Sequence, residues 1–203
     1  MFPRRLKLLL VLLGSASVSS FAGDCAQVAK RVNLDLWSTR SLSSPDGQWR
    51  FIGVGPKSAE TVAPLYIENL HTGQKWEVGS IERDATVFWS GDSSRVFLRD
   101  EYAADDTNIR VFEITEQTPK EIGGLDGSIR KAVFRHVSAH ETTLWLTYPE
   151  ACFAATGSST ILLTADAPRV PITGSGSGKR LTVRLAVDLA TLKVRELRVR
   201  KEQ

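Results

Sequence analysis

Runs of alternating apolar and polar residues, each led by a polar turn, recur along this chain at a spacing of about 46 residues, the distance from Ser44 to Ser90. The first copy, Ser44-Pro45-Asp46-Gly47, leads into a strand expected at 49–54, and the second, Ser90-Gly91-Asp92-Ser93, into one at 95–99. A weaker third copy, Val137-Ser138-Ala139-His140, precedes a strand expected at 143–147. After a polar connection each unit has a second strand rich in β-branched residues, at 64–68, 109–113 and 181–188. Turns at 70–74, 115–118 and 189–192 then lead to closing strands. There Glu77-Val78, Glu121-Ile122 and Glu196-Leu197 place a solvated glutamate beside a buried aliphatic residue, as period-two alternation requires. Residues 86–89 and 131–134 supply an innermost strand to the later two units. The pattern predicts an all-β fold of repeated four-stranded antiparallel meanders, with units at about 32–80, 85–123 and 129–203.

The first unit joins Ser44-Pro45-Asp46-Gly47, an aromatic strand, Leu65-Tyr66-Ile67 and a Thr72-Gly73 turn, and so resembles the TolB-type (PD40, WD40-like) β-propeller blade of bacterial periplasmic proteins. The likeness is best over 41–80, weaker over 85–123, and loose in the third unit, where Ser138-Ala139-His140 stands in place of Pro-Asp-Gly. In the second copy Gly91 replaces the proline and Ser93 the glycine. The motif is structural: its aspartate accepts backbone hydrogen bonds, its proline fixes φ, and its glycine takes a positive φ. The resemblance implies a propeller, yet three units are found where propellers close with four or more blades. The expectation is an incomplete ring of about three blades, or three and a degenerate fourth built from 24–37 and 151–169. Residues 32–37 alternate and are expected either as the inner strand of the first unit or as an addition to the last sheet, fastening the two ends.

The start of the chain changes the reading of its charge. Arg4, Arg5 and Lys7, an apolar run at 8–13 and Ser20-Phe21-Ala22 have the form of a secretory signal over 1–22, cleaved after Ala22. The apolar run is too short to span a bilayer, so no stable membrane insertion is expected after cleavage. Asp24 argues against lipidation of Cys25. The whole chain holds 26 Lys+Arg against 23 Asp+Glu, but three basic and no acidic residues precede Gly23, leaving 23 against 23. A neutral mature protein gives no reason to expect nucleic acid. Residues 23–203 suffice for a single domain, periplasmic or secreted. The only cysteines, Cys25 and Cys152, are expected to form a disulfide, since export places them where disulfides persist.

Charge is nevertheless uneven: 82–126 holds eleven acidic and five basic residues, and 179–201 holds eight basic and two acidic ones. The loop Asp100-Glu101-Tyr102-Ala103-Ala104-Asp105-Asp106 is the best charged candidate for a partner contact, with Tyr102 as an amphipathic anchor. It lacks the Asp-x-Asp-x-Asp-Gly series of calcium loops, and no metal or cofactor is expected. Residues 148–179 read as an insertion in the third unit: a hairpin of 160–164 against 169–172, then the flexible Gly174-Ser175-Gly176-Ser177-Gly178. Trp37, Trp49, Trp76, Trp89 and Trp145 fall at strand positions and are expected to pack between sheets. His71, His136 and His140 read as surface histidines, and no nucleophile can be assigned a base, so no catalytic residue is named. The resulting expectation is a non-enzymatic protein that binds a protein partner in the periplasm, an immunity or inhibitor protein being one form. The alternative is a periplasmic hydrolase or small-ligand-binding protein on the same scaffold.

Overall fold

In a computed structural model, which describes residues 25, 31–35, 37–55, 62–101, 106–115, 118–138, 141–142, 145–155, 157–171 and 179–201, the first two polar turns share one hydrogen-bonding scheme. Ser44 Oγ pairs with Asp46 Oδ1 and accepts from the Trp49 amide (3.0 Å); Ser90 Oγ pairs with Asp92 Oδ1 and accepts from the Arg95 amide (2.9 Å). Asp46 and Asp92 each accept a backbone N–H two residues on, from Gln48 and Ser94. Gly47 (φ 71) and Ser93 (φ 60) both occupy the left-handed region, so the second copy keeps the geometry without the glycine. The two turns also touch, because the Asp46 amide donates to Ser93 Oγ (3.0 Å).

The strands are β1 (Arg31–Leu34), β2 (Arg40–Ser43), β3 (Trp49–Gly53), β4 (Ala63–Asn69), β5 (Lys75–Ile81), β6 (Ala85–Trp89), β7 (Arg95–Asp100), β8 (Asn108–Ile114) and β9 (Pro119–Glu121). A helix, α1 (Leu125–Phe134), precedes β10 (Glu141–Thr142), β11 (Thr147–Ala154), β12 (Gly157–Pro171), β13 (Lys179–Asp188) and β14 (Val194–Lys201). They form three antiparallel sheets. Sheet I has the order β2-β3-β4-β5, and sheet II the order β1-β6-β7-β8-β9. Sheet III is β12 flanked by β13-β14 on one edge and by β11 and β10 on the other.

Sheet II is the middle layer. One of its faces packs on sheet I through Phe51, Leu65, Val87, Trp89, Leu98 and Phe112. The other packs on sheet III and α1 through Phe88, Phe97, Ile129, Tyr148, Phe153 and Val183. Phe88 and Phe97 stack at 4.5 Å, an arrangement worth about 1 kcal/mol beyond the area it buries. Gly79 (φ 121) lets Arg110 of sheet II bond the Val78 carbonyl of sheet I, where a Cβ would lie 2.8 Å from the guanidinium. Sheets I and III share no core cluster, so the described residues make an open stack of three sheets and not a closed ring.

Several expectations are overturned in the last third of the chain. Residues 131–134 belong to α1 and not to a strand: Leu125, Ile129, Ala132 and Val133 recur at helical spacing and are all buried. The described part of the insertion expected at 148–179 belongs to sheet III itself, because 160–164 and 169–171 do not pair with each other; residues 157–171 form one strand, β12, whose alternation is continuous through Ile161, Leu163, Ala165 and Ala167. The Leu189 amide bonds the Ser159 carbonyl, so the odd positions of β12 pair with β13, and the ring nitrogen of Pro168 faces the β11 side beyond the last pair, Thr147 with Asp166. No ladder bond is lost there. The glycine-serine run at 174–178 lies outside the described residues, as do the signal at 1–22 and His140.

β1 joins neither the first unit nor the last sheet; it pairs antiparallel with β6, from Arg31 opposite Phe88 to Leu34 opposite Ala85. Asp35 then caps a turn by accepting the Trp37 and Ser38 amides, which carries the chain into sheet I and leaves Trp37 83% exposed. Trp49 and Trp89 are buried as expected. Glu196 and Leu197 reverse their expected sides, because a bulge in β14 turns Glu196 toward α1, where it bonds Arg135 and His136, and leaves Leu197 exposed.

Candidate functional site

Among the described residues, the carboxylates of the acidic loop do not form a common outward surface. Asp100, at the end of β7, is buried, and its Oδ1 has no hydrogen bond. Burial pushes this carboxyl up to about 6, against the attraction of Arg110 and with help from the like charges of Glu82 and Glu101. Asp106 points inward, accepting from the Arg130 guanidinium and the Leu146 amide, both at 2.9 Å. Glu101 is paired with Arg99 at 3.1 Å. Tyr102 and Asp105 lie outside the described residues. At the partner contact expected on this loop, Asp100 is thus buried and Asp106 is bonded inside the fold.

The state of Asp100 has a measurable consequence. Well below pH 4 the carboxyl is neutral in both the folded and unfolded chains. As pH rises from 4 through 6, the unfolded chain ionises freely in water while the folded one resists, so stability falls. Asp100→Asn is expected to raise stability at pH 7.5 by about 2 kcal/mol, below the roughly 3 kcal/mol that a rise from 3.8 to about 6 implies at about 1.4 kcal/mol per pKa unit because solvent screens part of the effect, and to change little at pH 4. Urea midpoints at the two pH values check this, and an equal effect at both would remove ionisation as its cause.

The concave charged surface lies instead on the outer face of sheet III, opposite its core. A groove of about 250 Å³ there is lined by Glu150, Thr164, Asp166, Arg184, Arg198 and Arg200 among others. Strand register sets the arrangement: Glu150, Thr164, Arg184 and Arg198 form one cross-strand row, and Asp166, Thr182 and Arg200 the next. Arg195 opposes Ala186 on the same face, and Arg180 reaches Asp166 at 3.2 Å. Thr164 Oγ1 donates to Glu150 Oε2 at 3.0 Å, so one carboxylate is held within the floor. Five arginines thus share a face with three acidic residues, Glu150, Asp166 and, at the hairpin end, Asp188. Arg195, Arg198 and Arg200 are exposed and carry no hydrogen bond or ion pair among the described residues. Exposed guanidinium groups on neighbouring strands present several N–H forks, the donor geometry that suits carboxylates.

The sequence held a partial signal for this face in the basic excess of 179–201. Its one-sidedness was hidden. Arg195 and Arg198 are three residues apart, which in a regular strand puts them on opposite faces; the bulge between them returns both to the outer face. Among the described residues, no group of three or more His, Cys, Asp or Glu is arranged to hold a metal ion. Among the described residues, no helix is long and apolar enough to cross a membrane. Compared with known proteins, the chain matches no family model and no curated sequence.

Proposed function

We propose that this is an exported, non-enzymatic binding protein that docks an acidic protein surface on the outer face of sheet III. The observation that carries the reading is the opposition of Arg184 and Arg198 across β13 and β14, with Arg200 and Arg195 beside them. Like charges directly opposite on a sheet cost stability, so this cross-strand pairing by itself works against the fold. Charges on the edge strand β14 would discourage sheet-to-sheet aggregation, but an alternation of lysine and glutamate would serve that end as well. A set of arginines of one sign on one face, above a groove, suits a partner rich in carboxylates. Export is supported by the Cys25–Cys152 disulfide, a bond that persists in oxidising compartments, together with the leader-like start of the sequence.

The test is capture of the partner from the native periplasm by the wild-type protein and by an Arg198→Glu/Arg200→Glu variant, in low and high salt. A stoichiometric acidic protein, bound roughly 30- to 100-fold more weakly by the variant and released by salt, is the expected result. Equal retention by both proteins, with equal thermal stability, would remove this face from the function. Substrate turnover by the purified protein would favour the hydrolase reading in its place.

A further inference from the structure

We propose that the open edge of β2 is a strand-addition site, which takes an extended segment of a partner protein as a fifth strand of sheet I. The molecule contains the precedent. Units one and two are related by the offset between the Ser44 and Ser90 turns, so β2 is the counterpart of β6. The inner edge of β6 is covered by β1, added antiparallel over four residues. The inner edge of β11 is covered too: Arg31 and Arg99 donate to the carbonyls of Ala151 (2.7 Å) and Tyr148 (2.9 Å), and Cys25 bridges Ala154. Of the three inner edges, that of β2 alone has no strand or bridge on it among the described residues.

The groups left on that edge follow from register. The Ser44 amide bonds the Trp49 carbonyl at 2.9 Å, and β2 pairs with β3 as Arg40 with Gly53 and Leu42 with Phe51. Arg40 and Leu42 therefore turn their main-chain groups toward β3, while Ser41 and Ser43 turn theirs outward. They face a cleft of about 570 Å³, with Ser41, Leu42 and Ser43 on one wall, Arg31 and Val32 of β1 on the other, and Trp89 alongside. The Trp89 indole N–H donates to the Leu42 carbonyl at 3.0 Å and holds the edge in place. Four residues of β2 offer roughly 13 Å of edge. A lone four-residue edge is ordinarily too short to attract another chain. Here the edge borders a cleft, and its counterpart in the next unit is filled by a strand of the same length.

The occupant is recognised by its backbone, with side chains alternating as those of β1 do, where Leu34 is buried and Val32 partly so. A carboxylate suits the end that passes Arg31. This site is independent of the arginine face on sheet III. The test uses a randomised, proline-free eight-residue peptide library selected on the immobilised full-length protein, with the recovered peptides titrated against Ser41→Pro and Ser41→Ala variants. The Ser41 N–H points away from β3, so proline fits there without costing a bond of the fold, and the urea midpoint checks that. The expected result is peptides whose binding gains exchange protection for the Ser41 and Ser43 amides, weakens at least tenfold in Ser41→Pro and is unchanged in Ser41→Ala. Recovery of no peptide, equal binding by Ser41→Pro, or protection of both amides before any peptide is added would overturn the proposal; the last would mean that the chain's own residues fill the edge.

Discussion

Reduction of the Cys25–Cys152 disulfide, or its replacement by serines, is expected to lower stability by about 4 kcal/mol. The cysteines are 127 residues apart in sequence, and their Cα atoms lie 5.7 Å apart. Closing a loop of that length removes so much freedom from the unfolded chain that the chain-entropy model gives about 5 kcal/mol as its upper figure. Position adds to the effect. Cys152 is buried in a small cluster with Ala154, Leu162 and Ala186, against which Cys25 packs. Six residues after Cys25 the chain enters β1, the edge strand of sheet II, so the bond ties that strand's leader to sheet III. For a domain of this size, 4 kcal/mol is a fall in Tm of about 8 to 16 °C. Thermal unfolding with and without reductant measures it, and a shift below about 2 °C would show that the packing of sheets II and III holds the segment unaided.

Arg130→Met is expected to cost about 3 kcal/mol, because it strips a partly buried network of the cation that bonds both Asp106 and Asp126. Arg130 bonds Asp106 at 2.9 Å and Asp126, four residues earlier on α1, at 2.5 Å. Asp126 also accepts the hydroxyl of Tyr148, a wholly buried side chain, at 2.9 Å. Burial, reinforced by the charge of Asp126, holds the Tyr148 phenol above its ordinary pKa, so it remains a neutral donor. Without Arg130, two carboxylates with little access to water face each other across the junction of α1, β8 and sheet III. A double-mutant cycle with Asp106→Asn isolates the pair, with a coupling of about 1 to 3 kcal/mol expected. Additive effects would mean that the arginine acts through its packed alkyl stem alone.

The network also shows why the acidic loop misled. In sequence, Asp100, Glu101, Asp105 and Asp106 look like one solvated cluster. Asp106 is claimed by Arg130, a residue 24 positions later whose approach depends on α1 packing against sheet II, and no local pattern announces that contact. Asp100 is buried at a strand end on the opposite face of sheet II, the one that packs on sheet I, as Val96 and Leu98 before it are. The helix itself could have been read, since Leu125, Ile129, Ala132 and Val133 keep helical spacing. The apolar pair Val133-Phe134 and an expected third repeat drew the period toward two. The hairpin expected from 160–164 against 169–172 divides β12, and only the end of the β11 pairing shows that Pro168, between the two stretches, costs no ladder bond.

The sequence by itself determined the local geometry. The Ser44 and Ser90 turns, the strands that follow them, the hairpin turns closed by Asn69 and Asp188, and the bond between the two cysteines are all as read. Each but the disulfide rests on contacts between near neighbours, which period-two alternation and turn chemistry encode directly, and the disulfide follows because the chain holds only two cysteines. Tertiary structure alone decided which edge β1 covers, which strand edge has no partner among the described residues, and which arginines share a face. A four-residue strand such as Arg31–Leu34 alternates equally well on any edge, and a bulge changes parity without a mark in the composition. Such choices are settled by packing energy summed over distant residues, and no short stretch of the chain carries that sum.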